Sequence, residues 1–574
     1  MSKQYETNFQ AIPEDNKYWW KDEVIYQIYP RSFQDSNGDG IGDIQGIISR
    51  LDYIQNLGVT AIWISPIYKS PMVDMGYDIT DYQQIDPVFG TMDDVDELIR
   101  KARDRGIKII MDLVANHTSD QNEWFQKALH DPQSKYRDYY IFKHTDDGKA
   151  PNNWRGTFGG STWTPVPGEP GTYYFHTFAA EQPDLNWENP KLRQDMYKII
   201  NWWLEKGIAG FRLDAITQLK KDLDWASLPA DGRDGLVNVE RKGLNRPGLG
   251  KFLRELRDET FAKYNAVTIG EAYGVKPEDL SEFVGPNGYF SMIFDFSYLN
   301  IDVADPNEWY RKNDWQVADL AHTMFSSQQS IKEANGNFAN VIENHDQNRA
   351  LTKFIQDPNS RTPAAAKALA AMYFFLPGVP IIYQGQELGM KNFERTSIDQ
   401  FNDVSSLNNY QRALNNGYSE KEALKFVNWR SRDNARVPMQ WDDSETAGFS
   451  THKPWLNPGN HRAGINVFNE ETDPKSILNF YKRILQIRQD PQYKSLFIEG
   501  NLQPLPLADK DIIGYQREYQ EQKITILVNL NNQLVDLGHQ FIGEVIVDSL
   551  YNHDDHQVNV DKLAPFQAVV LKSE

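Results

Sequence analysis

The chain has 574 residues, no cysteine and a formal net charge of −20. This length allows several domains or one large barrel with additions, and the missing cysteine excludes disulfide scaffolds, thiolate metal sites and cysteine nucleophiles. The acidic balance argues against nucleic acid and anionic membranes as partners. The N-terminus is polar and lacks the apolar stretch of a signal peptide. We therefore expect a soluble cytoplasmic protein that is a monomer or a homodimer.

Eight short β-rich segments alternate with amphipathic helical stretches. In chain order they are residues 23–29, 61–64, 107–114, 210–213, 267–270, 291–294, 339–343 and 380–383. Strands that alternate with helices form a parallel sheet. Eight such units predict an α/β fold with a closed (β/α)8 TIM barrel rather than an open sheet.

Two stretches interrupt this alternation and predict further domains. Residues 118–187 are rich in Gly, Pro, Trp and Asn and too long for an ordinary loop, which predicts a small inserted domain after the third strand. Residues 491–574 contain β-rich segments such as KITILVNL and no predicted helix, which predicts an antiparallel β-sandwich. The barrel then comprises residues 1–117 and 188–490, and a long excursion near residues 391–442 passes over its mouth.

Charged and imidazole side chains follow several of the predicted strands, at the end where such barrels carry their catalytic groups. They are Asp112, Asn116, His117, Arg212, Asp214, Glu271, His345, Asp346 and Arg349. Arg212 and Asp214 are two residues apart and share one face of a strand, where the guanidinium keeps the carboxylate ionised. Three carboxylates from three strands predict glycoside cleavage, in which one attacks the anomeric carbon and another protonates the leaving oxygen.

Six motifs resemble those of the alpha-amylase superfamily, glycoside hydrolase family 13. They are DLVANH (112–117), QPDLN (182–186), GFRLDAI (210–216), GEAYG (270–274), ENHDQNR (343–349) and GVPIIYQGQELG (378–389). Together with YQIYPRSF and ARVPMQW, they resemble most closely the branch of oligo-1,6-glucosidases, alpha-glucosidases, dextran glucosidases and sucrose isomerases. The resemblance covers nearly the whole chain.

The resemblance implies a role for each catalytic acid. Asp214 is the nucleophile that forms a covalent glucosyl-enzyme, Glu271 is the general acid and then the base, and Asp346 binds substrate hydroxyls. It also implies a substrate-binding set of Tyr77, Asp78, His117, Phe158, Gln182, Arg212, Ala215, His345 and Arg436. A retaining reaction requires the Asp214 and Glu271 carboxyls to lie about 5–5.5 Å apart, and Glu271 to have a raised pKa.

Two members of this set are expected to close the pocket. The resemblance implies that Asp78 and Arg436 pair across its bottom and hold the terminal sugar, while Tyr77 stacks on the sugar ring. A closed pocket releases one glucose from the non-reducing end. The alternative interpretation is a structural ion pair that ties a loop to the barrel.

Ala215, the residue after the nucleophile, bears on the linkage that is cleaved. Enzymes of the branch that cut α-1,6 bonds commonly carry valine there, and a β-branched side chain narrows the space beside the acceptor sugar. We therefore expect an alpha-glucosidase that prefers α-1,4 substrates such as maltose and maltooligosaccharides. Oligo-1,6-glucosidase activity, transglucosylation and sucrose isomerisation are the alternatives, and a non-catalytic binding protein of this fold is a remote one.

The segment from Asp35 to Asp43 places oxygen atoms at alternate positions. The side chains of Asp35, Asn37, Asp39 and Asp43 and the carbonyl of Ile41 could surround one hard cation. Calcium suits such ligands, and the resemblance implies a structural calcium ion, with magnesium as an alternative. A metal-free turn of the Asn-Gly and Asp-Gly type is the other interpretation. We expect no organic cofactor.

Overall fold

The structure is a computed structural model that describes residues 18–305, 308, 311–507, 511–551 and 557–573. The N-terminal segment that was expected to lack a signal peptide, residues 1–17, lies outside these residues, as does the last residue of the predicted C-terminal domain. Within the described ranges, every helix is too short or too polar to cross a membrane.

Strands and helices alternate through most of the chain. The strands are β1 Ile25–Ile28, β2 Ala61–Ile64, β3 Tyr68–Lys69, β4 Asp81–Ile85, β5 Lys108–Val114, β6 Phe142–His144, β7 Trp154–Arg155, β8 Trp163–Pro165, β9 Thr172–Phe175, β10 Gly210–Asp214, β11 Val237–Asn238, β12 Val267–Gly270, β13 Met292–Phe294, β14 Phe338–Asn340, β15 Val379–Tyr383, β16 Asn501–Pro504, β17 Ile512–Tyr519, β18 Gln522–Asn529, β19 Val535–Asp548, β20 Gln557–Leu563 and β21 Ala568–Ser573. The helices are α1 Ile44–Ser49, α2 Leu51–Leu57, α3 Met92–Arg103, α4 Glu123–His130, α5 Pro190–Lys206, α6 Glu240–Gly243, α7 Leu249–Glu259, α8 Leu280–Val284, α9 Val317–Glu333, α10 Ala350–Phe354, α11 Pro363–Phe374, α12 Val404–Asn415, α13 Glu420–Arg430, α14 Asp433–Arg436, α15 Val467–Thr472, α16 Ile477–Gln489 and α17 Lys494–Glu499.

The centre of the molecule is a closed parallel barrel of eight strands. Around the barrel the order is β1, β2, β5, β10, β12, β13, β14 and β15, which pairs with β1 again. Each of these strands overlaps one of the eight predicted segments, so the predicted fold class is confirmed. Their side chains are buried almost throughout, as expected for parallel strands covered on both faces. Gly210 allows β10 to approach β12, because a Cβ atom there would lie 1.9 Å from the Val267 carbonyl oxygen.

Local signals set the ends of the helices that return the chain between barrel strands. In α5, the Asn189 side chain accepts a hydrogen bond from the Lys191 main-chain N–H, Pro190 occupies the first turn, and Gly207 ends the helix with φ of 108°. This arrangement is typical of helix starts and stops. The strand that follows α5 is β10, which carries the predicted nucleophile.

The predicted inserted domain pairs with a strand from outside its predicted range. Residues 118–187 contain α4 and the three-stranded sheet β6-β9-β8. In addition, β11 from beyond the fourth barrel strand pairs with β7. The Trp154 ring packs in an apolar cluster with Phe175 and Val237 and against Trp225, and its indole N–H donates to the Ala226 carbonyl. Several residues between positions 222 and 239 therefore pack against the inserted domain and form part of its structure.

The C-terminal domain is antiparallel, as predicted, but its six strands form one sheet in the order β16-β17-β18-β21-β19-β20. Bulges near Val545 and between Asp536 and Phe541 interrupt the pairing of β19 and increase the curl of the sheet. The helix α17 lies within the range that was predicted to lack helices. Arg517 joins this sheet to the barrel, since its buried guanidinium donates to four main-chain carbonyls, including that of Phe375.

Candidate active site

A cavity of about 420 Å³ opens at the carboxyl ends of the barrel strands. All three predicted catalytic acids line it, and so do four residues of the predicted substrate-binding set. These lining residues are Asp214, Glu271, Asp346, Tyr77, His117, Phe158 and Ala215. The cavity therefore brings together side chains from the ends of, or the segments after, the five barrel strands β2, β5, β10, β12 and β14, and from the inserted domain.

Arg212 lies beneath the catalytic acids and contacts two of them. Its Nη1 atom donates to Asp214 Oδ1 at 2.8 Å and to Asp112 Oδ1 at 2.9 Å, and its Nη2 atom lies 3.0 Å from Glu271 Oε2. The strand register sets this geometry, because Arg212 on β10 pairs with Asp112 on β5. A charge-assisted contact with one guanidinium holds both predicted reacting carboxyls in place.

The acids differ in their affinity for a proton. Burial raises the pKa of Glu271 to about 8, with the Arg212 charge opposing and the charges of Asp214 and Asp346 adding to the rise. Burial also raises the pKa of Asp214, to about 7, against the opposing Arg212 charge. Glu271 is therefore the group that keeps its proton to the higher pH. That order is the one a proton donor and an ionised nucleophile need.

The pKa of Asp346 is shifted in the opposite direction, below the ordinary value of a carboxyl. Burial acts to raise its pKa, but the neighbouring His345 and then the guanidinium groups of Arg432 and Arg436 lower the pKa well below the ordinary range of a carboxyl. Arg436 Nη2 donates to Asp346 Oδ1 at 2.9 Å. The neighbouring His345 is fully buried, and burial lowers its pKa to about 3. The site therefore presents an ionised Asp346 beside a neutral imidazole.

The predicted ion pair between Asp78 and Arg436 is wrong. The Asp78 carboxylate is buried and accepts hydrogen bonds from the Ser70 hydroxyl and from the main-chain N–H groups of Val73 and Asp74. It organises the turn that precedes Tyr77 instead of meeting Arg436. Neither Asp78 nor Arg436 lies among the described residues that line the cavity.

The pair that crosses the cavity is Asp74 and Arg432, each four residues before its predicted counterpart. Arg432 Nη2 lies 2.9 Å from Asp74 Oδ1 and 2.6 Å from Asp403 Oδ1, and both Asp74 and Arg432 line the cavity. Two arginines four residues apart lie on the same side of a helical turn. Sequence spacing alone could not decide which of them reaches the cavity.

The remaining predicted binding residues form the wall and its support. The Tyr77 ring is stacked on His345, with centroids 5.4 Å apart, and its hydroxyl donates to Asp112. His117 Nε2 lies 3.1 Å from the Gln182 amide nitrogen. Gln182, Arg212 and His345 are buried behind the lining residues and act through them.

Sequence reasoning missed several residues of the cavity. Besides Asp74 and Arg432, they include Phe178, Asn238, Glu240 and Phe296. The Phe178 ring packs against Phe158 and His117, and the Arg432 guanidinium lies over the Phe158 ring at 5.0 Å. These residues come from the inserted domain, from the short elements β11 and α6 and from loops, where no extended periodic pattern places a side chain.

The predicted metal loop is held together by its own hydrogen bonds. Asp35 accepts from the main-chain N–H groups of Asn37, Gly38 and Gly40, Asn37 accepts from that of Asp39, and Asp39 from that of Ile41. Asp43 caps helix α1. In the part of the chain that the structure describes, no three carboxylates or imidazoles converge as metal ligands. The predicted ligand set also includes the Asn37 amide and the Ile41 carbonyl, and calcium binding by this turn stays a prediction.

The amino-acid sequence matches a known protein family over most of its length. The model of the alpha-amylase catalytic domain matches residues 27–495. The chain belongs to the alpha-amylase family. The predicted resemblance is thereby confirmed, and the chain is a glycoside hydrolase.

Relatives within the alpha-amylase family extend over nearly the full length. Oligo-1,6-glucosidase from Parageobacillus thermoglucosidasius is 38% identical over 563 residues, which are 97% of this chain and 99% of the relative. Glucan 1,6-alpha-glucosidase from Streptococcus pneumoniae is 40% identical over 90% of this chain and 92% of the relative. The crystal structure of isomaltulose synthase from Klebsiella sp. LX3 has a TM-score of 0.91 and 36% identity, and covers 97% of this chain and 99% of its own.

The contact between Asp74 and Arg432 predicts that substitutions of these two residues have strongly non-additive effects on kcat/KM. We expect Asp74→Ala and Arg432→Ala each to lower kcat/KM on a p-nitrophenyl α-glucoside by about 100-fold, because Arg432→Ala leaves Asp74 without its cation and Asp74→Ala removes the carboxylate that holds Arg432 in the cavity wall beside Asp403. The double variant should lose far less than the product of the two effects. Steady-state kinetics on the four proteins provide the measurement.

Asp78→Asn is the matched control for this pair. It alters a buried carboxylate of the same turn, so we expect a lower melting temperature and a smaller loss of kcat/KM than for Asp74→Ala. Independent, multiplicative effects of the Asp74 and Arg432 substitutions would contradict the assigned pair.

The pKa order of the two acids predicts a bell-shaped pH profile. Asp214 must be ionised, so kcat/KM should fall as the pH drops below about 7. Glu271 must be protonated, so kcat/KM should also fall as the pH rises above about 8. Because the two carboxyls interact, the limbs report the pair. The measurement is kcat/KM on p-nitrophenyl α-glucoside over the range in which circular dichroism shows the folded protein.

Glu271→Gln supplies the control for the alkaline limb, since it removes the titrating group. We expect the residual activity of this variant to lose that limb. Wild-type activity that stays constant well above pH 8 would show that Glu271 is not the proton donor.

Proposed function

We propose that the protein is a retaining, exo-acting alpha-glucosidase that releases glucose from the non-reducing end of short α-glucosides, preferably α-1,4-linked ones. The observation that carries the proposal is the contact of one buried guanidinium with both Asp214 and Glu271. Such a contact suits the short carboxyl separation, about 5–5.5 Å, of retaining glycosidases. A cavity of about 420 Å³ is of a size that suits small ligands.

The reaction follows from the charge states of these acids. The ionised Asp214 carboxylate attacks the anomeric carbon while Glu271 transfers its proton to the glycosidic oxygen, so the glycosidic bond breaks and a glucosyl ester forms. Loss of the leaving sugar frees Glu271, now ionised, to take a proton from water. The water oxygen then forms the new bond to the anomeric carbon, the ester bond breaks, and glucose leaves with its original configuration.

The neighbouring groups suit the transition state of both steps. Positive charge develops on the sugar, and the ionised Asp346 is a hydrogen-bond acceptor that can hold sugar hydroxyls close to that charge. Asp74 and Arg432 close one end of the cavity with an acceptor and a donor for the terminal glucose. A closed end favours removal of single glucose units from a chain end over cleavage within a chain.

The preference for α-1,4 bonds rests on Ala215. This residue lines the cavity beside the nucleophile and adopts a left-handed conformation with φ of 43°. A β-branched side chain would narrow the adjacent space and is disfavoured in that conformation. Alanine leaves room for an acceptor sugar linked through its 4-hydroxyl.

Cleavage of α-1,6 bonds is the second candidate. It is favoured by the names of the relatives, oligo-1,6-glucosidase and glucan 1,6-alpha-glucosidase. Transfer of glucose to a second sugar uses the same ester, since a sugar hydroxyl can replace water in the second step.

The products formed by wild-type protein and by Ala215→Val distinguish these candidates. We expect wild-type protein to release glucose from maltose about tenfold or more faster than from isomaltose, a difference in the range that one pocket contact supplies. Ala215→Val should shift this ratio toward isomaltose. The measurement is a chromatographic time course on maltose, isomaltose and sucrose.

Asp214→Asn is the control for the origin of the activity, because an amide cannot form the glucosyl ester. We expect this variant to remain folded and to release no glucose. A wild-type preference for isomaltose would exclude the α-1,4 assignment. Formation of sucrose isomers from sucrose would instead indicate that the protein is a sucrose isomerase.

Calcium binding by residues 35–43 stays a prediction, and the chemistry above does not use it. If the loop binds the ion, elemental analysis of protein dialysed in metal-free buffer should give about one calcium per chain, and a chelator should lower the melting temperature, because an ion that binds only the folded state stabilises it. Asp39→Asn should weaken both effects. Protein without metal and with an unchanged melting temperature would favour the hydrogen-bonded turn.

A further inference from the structure

The cavity contains a carboxyl that the proposed reaction does not use. Glu240 begins helix α6 and lines the cavity. Its side chain forms no hydrogen bond or ion pair with any residue that the structure describes, although its main-chain N–H donates to Asn238. Burial raises the pKa of this carboxyl. A partly buried acid without a partner costs free energy unless a ligand supplies hydrogen-bond donors.

Nearby cations are already paired with other acids. Lys242 lies 2.8 Å from Asp224 and 3.2 Å from Asp222. Arg155, which lines the same cavity, contacts Asp231 and Asp234 instead. Glu240 is therefore left facing the cavity as a hydrogen-bond acceptor.

Glu240 lies on the acceptor side. The donor side is the end closed by Asp74 and Arg432, whereas the sugar that receives the Glu271 proton lies toward the residues that surround this acid. Tyr273 follows Glu271 by two residues and lies close enough to Glu240 for its pKa to be raised by that charge, after the larger effect of burial. The Thr217 hydroxyl donates to the Tyr273 carbonyl, which joins the segment after the nucleophile to this wall.

An aromatic pair completes the acceptor side. The rings of Tyr273 and Phe296 meet edge to face with centroids 5.7 Å apart, and both line the cavity. Aromatic faces suit the apolar faces of sugar rings. Glu240 adds the complementary contact, because a carboxylate can accept hydrogen bonds from two sugar hydroxyls at once.

We propose that Glu240 is a specificity-determining residue that accepts hydrogen bonds from the hydroxyls of the acceptor-side sugar. Through this contact the enzyme favours carbohydrate leaving groups over aryl groups, and sugar acceptors over water. In the transfer step, the acceptor hydroxyl oxygen bonds to the anomeric carbon, its proton passes to Glu271, and the ester bond to Asp214 breaks. This inference rests on the proposed alpha-glucosidase function.

The test compares a sugar leaving group with one that has no hydroxyls. Wild type, Glu240→Gln and Glu240→Ala are assayed on maltose and on p-nitrophenyl α-glucoside. We expect the ratio of kcat/KM for maltose to that for the aryl glucoside to fall about tenfold in Glu240→Gln, which keeps the shape but loses the charge, and further in Glu240→Ala; each tenfold corresponds to about 1.4 kcal/mol. The fraction of transfer products at high maltose concentration should fall in parallel.

Asp224→Asn is the matched control, because it removes an exposed carboxylate of the adjoining segment that pairs with Lys242. Its ratio should equal that of wild type. An unchanged ratio in both Glu240 variants overturns the inference, and so does an equal loss on both substrates with a lowered melting temperature, which would indicate a structural role. Failure of the proposed function is a separate result, in which wild-type protein releases glucose from neither substrate.

Discussion

The buried guanidinium of Arg212 is the interaction on which the catalytic cavity depends. It contacts Asp112, Asp214 and Glu271, three acids whose mutual repulsion in a buried site would otherwise be large. One cation among three carboxyls cannot neutralise them all, so the site retains a proton. Burial raises the pKa of Glu271 to about 8, and under the proposed function this carboxyl holds the proton and acts as the acid, while Asp214 acts as the nucleophile.

The barrel and its additions make different parts of the cavity. Adjacent parallel strands fix Arg212 and Asp112 through main-chain pairing, which gives the reacting groups a rigid base. The charged end of the cavity needs two elements distant in sequence, since Asp74 follows the second strand and Arg432 lies in the excursion after the eighth. The cavity wall around Glu240 depends on residues around β11, which the inserted domain holds through pairing with β7. Variation in these additions can change the substrate while the chemistry stays the same.

The same division explains what the sequence could predict. The eight strands and three acids follow from local patterns, since short β-rich segments alternate with amphipathic helical stretches and barrel chemistry lies at strand ends. The Asp78–Arg436 pair failed because Asp74 and Asp78 both flank Tyr77, and Arg432 and Arg436 share one side of a helical turn. Only tertiary contacts decide which member of each set reaches the cavity. The packing of residues between positions 222 and 239 against Trp154 is likewise a long-range contact. No local sequence pattern indicates it.

Ala215 joins the choice of substrate to the proton transfer itself. Its side chain lines the cavity, while its main-chain N–H donates to Glu271 Oε2 at 2.8 Å. This hydrogen bond exists because the residue adopts a left-handed conformation directly after β10. A larger side chain there would act on the space for the acceptor sugar and, by moving the backbone, on the position of the proton donor. Arg212 and Ala215 both contact Glu271 Oε2, so the residues on either side of the predicted nucleophile hold this carboxyl, and under the proposed function residue 215 would influence both the bond that is cleaved and the rate of its cleavage.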